Sequence, residues 1–421
     1  MRRARFYLLI LSLTLLPQIV AARDLVGFLS SQPEPRWHAL GWTVPGLLFA
    51  LNVPMAFEIA RRKRKAFLPP ALAAFFQTAW TAWWLGSILY MLVLGGFYLV
   101  SGVGELFRDG PAGPAAAMPL GLALAPFALS IYGAVFGARV LRRESVTVPM
   151  AGLPEALRGL RIVQLSDLHA GRHVTAARLR RIARRAARLK PDVLVVTGDI
   201  VHNSTAFAQQ AALALGSIPS RYGTFACLGN HDFAAGADAV EHALTAAGVQ
   251  VLRNRGVLLR CAGGNGPGGA AGDGRRAGEA AGASLWLCGV DDPWSNLLDL
   301  AAALRDRPPG VATVLLSHQP NTWPLARAAG VHLQLSGHTH GGQLAMLWLH
   351  RSLSLARLIT PFVAGLYRAG QCYLYVNRGA GSVMPMVRIG ARPEVTELTL
   401  VDAGQPEGMR AADVALAWQP A

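Results

Sequence analysis

A chain of 421 residues, 52% hydrophobic and 15% charged, is too apolar for an extended disordered protein and long enough for two or three domains. Its formal charge of +16 invites a polyanionic partner, but much of the excess lies beside long apolar runs and has a membrane-topology explanation. Cys227, Cys261, Cys288 and Cys372 form no C-x-x-C pair, so neither a zinc ribbon nor a disulfide framework is indicated, and they read as reduced structural residues.

Four apolar runs come first, at residues 6–22, 39–60, 71–103 and 116–138. Each approaches or exceeds the roughly 20 residues that carry a helix across a bilayer. About four transmembrane spans are therefore expected, in a membrane domain of residues 1–145. The third run is long enough to tilt, or to begin at headgroup depth with Trp80, Trp83 and Trp84. Arg2, Arg3 and Arg5 precede the first run, "RRKRK" (61–65) comes after the second, and Arg139, Arg142 and Arg143 after the fourth. The opposite loops carry only Arg23, Arg36 and Arg108. By the positive-inside rule this predicts a multi-pass protein of the inner membrane, with everything beyond residue 143 in the cytoplasm. A cleaved signal peptide over residues 1–22 is the competing reading, and it would leave three spans at odds with the basic loops.

From about residue 146 short apolar runs alternate with amphipathic helices. Strands are predicted at 160–166, 192–198, 223–229, 284–290, 311–317 and 331–336, most of them apolar enough to be buried on both faces. Between the second-half strands lies a Gly/Ala-rich run bracketed by Cys261 and Cys288, which reads as a mobile loop. The helix at 175–190 puts Leu179, Ile182, Ala183, Ala186 and Leu189 on one stripe, with Arg178, Arg180, Arg181, Arg184, Arg185, Arg188 and Lys190 around the rest. That basic face is either simply solvated or attracted to anionic headgroups. Together these elements predict a layered α/β domain over residues 146–403, with a tail at 404–421.

The informative pattern lies at the carboxyl ends of these strands. The first runs into Asp167 and His169, the second into Asp199, the third into Asn230, His231 and Asp232, the fifth into His318, and the sixth into His338 and His340. Five of the 11 histidines fall in these positions. Strand carboxyl ends are where sites form in open α/β sheets. A lone Asp there is usually a turn former or helix cap, but five such motifs on five strands are not an accident of turn chemistry. Carboxylate and imidazole ligands mixed in this way suit a divalent Mn, Fe or Zn ion better than calcium, which prefers oxygen alone.

In the order "SDLH", "TGDI", "LGNHD", "LSHQP" and "SGHTHGGQ", the chain resembles the calcineurin-like metallophosphoesterase superfamily. The stretches "GVDDPW" (289–294) and 377–400 are similar to its membrane-anchored branch of YkuE- and YaeI-type proteins. The resemblance implies a β-sandwich flanked by helices and two divalent metal ions. One ion would be held by Asp167, His169 and His340, the other by Asn230, His318 and His338, with Asp199 bridging. Two such ions would activate a water and clamp the attacked phosphorus. His231 would protonate the leaving oxygen or stabilise the transition state. The implied activity is that of a phosphoesterase or pyrophosphatase, on a phosphorylated substrate that could be a lipid or nucleotide-lipid; some family members hydrolyse UDP-2,3-diacylglucosamine in lipid A synthesis.

One position departs from the family. Three residues after the bridging aspartate the family carries an acidic residue that orients the catalytic histidine, and this chain has His202. Asp232, Asp291 and Asp292 are the acidic candidates to replace it, with a strand-end turn as the plain alternative for the last two. Asn377 and Arg378 are candidates for a phosphate, or else strand-end packing; Gln343 could touch a substrate oxygen, whereas Thr339 reads as loop-structural. A nuclease is the first alternative function, but the soluble half lacks a basic tract interleaved with aromatics, and no nucleic-acid partner is expected. A transporter or regulatory scaffold is the second, opposed by spans almost free of ionisable residues apart from Glu58.

Overall fold

The computed structural model describes residues 14–60, 70–106, 118–261, 283–346, 349–350, 353–383 and 385–403. The chain divides into two compact units, one of residues 1–139 with 384–389 and one of 140–383 with 390–421.

The first unit is helical: α1 (Leu15–Ser30), α2 (Pro35–Ala50), α3 (Asn52–Ala60), α4 (Pro70–Leu106) and α5 (Leu120–Tyr132). Among the described residues three stretches are long and apolar enough to cross a membrane, Pro35–Ala56, Leu72–Gly102 and Leu120–Gly137. The first apolar run of the sequence falls partly outside the described residues and ends within α1, and "RRKRK" lies wholly outside them. Trp80 and Trp83, on the run that could begin at headgroup depth, are both buried among the helices. Trp80 donates its indole N–H to Asn52 (2.9 Å) and Trp83 to Gln18 (3.0 Å), while Asn52 donates to Gln18 (2.8 Å). An indole turned into an apolar bundle needs an acceptor, and these two amides supply it.

Among the described residues the second unit has twelve strands in two six-stranded sheets. The first sheet has the order β1 (Arg142–Met150), β12 (Glu394–Asp402), β2 (Arg161–Leu165), β3 (Val193–Thr197), β4 (Thr224–Cys227), β5 (Val249–Val251). The second runs β10 (Gly365–Ala369), β11 (Cys372–Val376), β9 (Leu333–Ser336), β8 (Ala312–Leu316), β7 (Ala283–Gly289), β6 (Arg255–Cys261). All six predicted strands are present. The Gly/Ala-rich run lies outside the described residues; β6 and β7, which flank it, pair antiparallel from Arg255 with Gly289 to Cys261 with Ala283. The tail beyond residue 403 is also outside them.

Strand alternation builds the layers. Ile162, Val193, Val195 and Phe225 of the first sheet meet Leu285, Leu287, Val314, Leu333 and Leu335 of the second in one buried cluster. The intervening Val163, Leu165, Leu194 and Val196 point the other way, onto helices α6 (Ala176–Ala187), α7 (Ala208–Gly216) and, past the short α8 (Asn230–Ala235), α9 (Ala237–Ala246). On the far side of the second sheet Trp286, Cys288 and Leu315 pack with residues of α10 (Leu300–Leu304) and α11 (Trp323–Ala328). Each fully buried Val or Leu contributes about 1.5–3 kcal/mol, so this double-sided burial is the main force holding the strand ends in place. All four cysteines are free, and three are buried.

Candidate metal centre

The parallel strands β2, β3, β4, β8 and β9 all deliver their carboxyl ends to one region, and the loops that leave them are tied to each other by the backbone. Asp167 N–H donates to the carbonyl of Gly198 (3.0 Å), His169 N–H to that of Asp199 (2.9 Å) and Gly337 N–H to that of His318 (3.0 Å). Side chains add ties: the Asp199 carboxylate accepts from His231 N–H (2.8 Å), and the Asp167 carboxylate from Ser166 Oγ (2.6 Å) and from His338 N–H (3.0 Å) across the two sheets. Close approach explains two glycines, since a Cβ at Gly229 would collide with the Asp199 carboxylate and one at Gly337 with Ser166 and Asp167.

Asp167, His169, Asp199, His338 and His340 all have left-handed backbone, with φ of 49°, 47°, 52°, 71° and 51°. Such conformations cost a non-glycine residue on the order of 1–3 kcal/mol each, and they persist only where the surroundings impose them. Here the surroundings are the cross-loop hydrogen bonds, and the result is that side chains from separate strands converge.

Two groups form. In the first, His169 Nε2 is 3.1 Å from His340 Nε2, and Asp167 Oδ1 is 3.4 Å from His340 Nε2 and 3.7 Å from His169 Nε2. In the second, His318 Nε2 is 3.2 Å from His338 Nδ1 and 3.3 Å from Asp199 Oδ2, and Asn230 Oδ1 is 3.1 Å from His338 Nδ1. Asp199 Oδ2 also lies 3.6 Å from His169 Nε2, so it reaches both groups. Nitrogens 2.0–2.1 Å from one tetrahedral ion are separated by roughly 3.3 Å, which is the spacing of both imidazole pairs. Asp167 Oδ1 is buried without a hydrogen-bond partner, an expensive arrangement for a carboxylate oxygen unless a cation meets it. The residues present therefore fit a pair of divalent ions.

The electrostatics agree with that donor set. Burial pushes the Asp167 and Asp199 carboxyls up, but facing histidines outweigh it (His340 first for Asp167, His318 for Asp199) and hold both below the usual carboxylate range. Burial opposes a charge on His318, yet Asp199, Asp167 and Asp292 draw its pKa well above the ordinary value. Burial, then His318, pushes His338 down to about 4.

His231 stands beside the first group, its ring 4.8 Å from that of His169 at 88°. Its other neighbour is His202, and the Nδ1 atoms of both rings are buried without partners. Burial, with His169 and His231 next, pushes His202 down to about 3, and burial lowers His231 against the pull of Asp199. None of the acidic candidates reaches His231. The Asp232 carboxylate accepts the N–H groups of Ile200, Val201 and Gly229 (each 2.9 Å). Asp291 pairs with Arg253 (3.1 Å), and Asp292 accepts from Trp294 N–H (2.9 Å) and Gln319 Nε2 (3.0 Å).

Other expectations divide. Thr339 donates to the Val363 carbonyl (2.6 Å), a loop-structural role. Gln343 keeps a buried Oε1 without a partner. Arg378 is ion-paired with Glu144 and Glu394, and Asn377 donates to Thr396 (2.9 Å), so both serve the strand ends rather than an anion. Trp294, 64% exposed, was not singled out from sequence; its ring stands 5.1 Å from that of His338.

The sequence profile described as calcineurin-like phosphoesterase matches residues 160–342. A transmembrane protein with metallophosphoesterase domain from Danio rerio is 32% identical over 288 residues, covering 65% of this chain and 61% of its own length. The uncharacterized metallophosphoesterase YkuE of Bacillus subtilis is 30% identical over 66% of this chain and 93% of its own length. The phosphodiesterase YaeI of Escherichia coli is 28% identical over 57% of this chain and 82% of its own. The chain thus spans about three fifths of the zebrafish relative and nearly all of YkuE.

Proposed function

Because the chain belongs to the calcineurin-like phosphoesterase family, we propose that it is a membrane-bound hydrolase that uses two divalent ions to cleave a phosphodiester or pyrophosphate bond. The observation that carries this reading is the pair of ligand groups joined through Asp199. Divalent ions bound there would supply Lewis-acid polarisation of the phosphoryl group and a more acidic attacking water. Asp167, His169 and His340 would hold one ion, Asn230, His318 and His338 the other, and Asp199, within reach of both groups, would be shared between them. His231, set beside His169 and hydrogen-bonded through its backbone to Asp199, donates to the departing oxygen.

The substrate proposed is amphiphilic, with UDP-2,3-diacylglucosamine as the specific candidate. Support comes from the apolar helices of the same chain and from a relative named as a phosphodiesterase. The flanking arginines favour an inner-membrane protein with the catalytic unit in the cytoplasm. A C-terminal fluorescent fusion should then be bright and an alkaline phosphatase fusion inactive; the reverse would refute this orientation.

The decisive experiment incubates the purified full-length protein with manganese and a panel of nucleotide-lipid pyrophosphates, phosphodiesters and monoesters. Turnover of a diester or pyrophosphate that stops on chelation is expected. A fully metallated protein that turns over none of them, or equal turnover with and without metal, would refute it. Nuclease activity is the second outcome the panel can show, when single-stranded DNA is included.

A further inference from the structure

We propose that the apolar rim carried by Met346, Leu349, Leu355, Leu358 and Ile359 is a bilayer-docking surface, by which the catalytic unit engages the interfacial layer of an anionic membrane. Leu349 is 69% exposed, Leu358 86% and Ile359 78%. Single exposed leucines need no explanation, but a contiguous set on one segment of an α/β unit does.

The backbone that displays them is pinned. Met346 N–H donates to the Leu353 carbonyl (2.7 Å), Ala345 bridges Ser354, and Ala356 is buried with Val363 and Ala364. Ser354 Oγ donates to the carbonyl of Gly341 (3.1 Å), the residue after the ligand His340. The exposed Trp294 also meets this loop, its ring 5.1 Å from that of His338. Exposed apolar side chains therefore come from two separate segments that both touch the motif that would hold the ions.

The charge pattern chooses the occupant. Arg357 is exposed next to Leu358, and no Asp or Glu occurs between Arg307 and Pro393. Aliphatic side chains fringed by a cation and free of acids match the apolar and headgroup layers of an anionic leaflet. The same chain carries helices able to cross a bilayer, so such a surface is its ordinary surroundings. For the substrate, this inference rests on the hydrolase reading, since docking would present the metal centre to a phosphate at the lipid surface.

The test uses the full chain with Leu358→Cys in a Cys372→Ser background, the other cysteines being buried, labelled with an environment-sensitive dye and reconstituted in phosphatidylglycerol vesicles. Brominated acyl chains should quench the dye and aqueous iodide should not; Arg357→Glu or phosphatidylcholine should weaken the effect. In parallel, Leu358→Asp with Ile359→Asp should lower turnover of hexadecyl 4-nitrophenyl phosphate in such vesicles at least about tenfold, the scale of one lost buried leucine. Turnover of soluble bis(4-nitrophenyl) phosphate should stay within about twofold. A dye reached only by iodide, shielding from both quenchers as in a protein contact, or an equal fall on both substrates overturns the proposal. If the unaltered protein hydrolyses neither substrate, the hydrolase reading fails instead, and the dye still reports docking.

Discussion

His202 and His231 lie face to face, with ring centroids 5.0 Å apart and planes inclined by 21°. The proposed orienting group for the His231 ring is thus an imidazole face rather than a carboxylate. His202→Ala should lower turnover by about an order of magnitude with metal content unchanged. His202→Phe, which keeps a flat face, should recover most of it. A phenylalanine variant as slow as the alanine one would show that the His202 nitrogens matter instead.

His231→Ala is expected to retain close to two ions while slowing the reaction by about 10²- to 10⁴-fold. The defect should shrink for nitrophenyl esters, whose leaving group departs without a proton. Metal analysis beside a leaving-group series decides it: loss of an ion, or a uniform defect, would make His231 a ligand or a structural residue.

His338→Ala and His340→Ala should each lose metal as well as turnover, because the two residues sit in different ligand groups. Elemental analysis should find about one ion per chain in each variant. A variant holding two ions would remove that residue from the ligand set.

Because the ligands come from both sheets, bound ions should brace the sandwich. A ligand at a hundred times its dissociation constant adds about 2.7 kcal/mol for each site. Chelation should therefore lower the thermal midpoint of the catalytic unit by several degrees, and manganese should restore it. An unchanged midpoint, with metal removal verified, would mean that the loops hold their shape alone.

Arg378→Ala would leave the buried Glu394 without its cation, at a cost of about 3–5 kcal/mol, while Glu144 would keep its pair with Arg142 (2.9 Å). The expected result is a lower unfolding midpoint with KM for a soluble diester unchanged. A raised KM at unchanged stability would return Arg378 to the phosphate site.

The candidate ligands were legible because each stands where an apolar strand run stops, and a polar residue at that boundary is conspicuous in one dimension. The strands that sequence did not reveal are those whose logic is remote. β1 reads as "RRESVTVPM", and its charges make sense only beside partners far along the chain, Arg143 with Glu397 and Glu144 with Arg378. β5 has only three residues, too few to show a period. Nothing close to Trp80 and Trp83 in sequence points to Asn52 and Gln18 as their acceptors. The support of His231 was hidden for a similar reason: the nearby aspartates look available, and only the fold shows that backbone N–H groups and Arg253 have claimed them.

The position of β12 governs how this protein can be made. It enters the first sheet between β1 and β2, pairing parallel with one and antiparallel with the other, and it is the last strand among the described residues. On a ribosome β1 and β2 emerge roughly 240 residues before the strand that must separate them, so they cannot join each other natively and must be held apart until synthesis has passed residue 402. A chain cut just before Glu394 would contain every candidate ligand and still leave β1 with nothing to pair with.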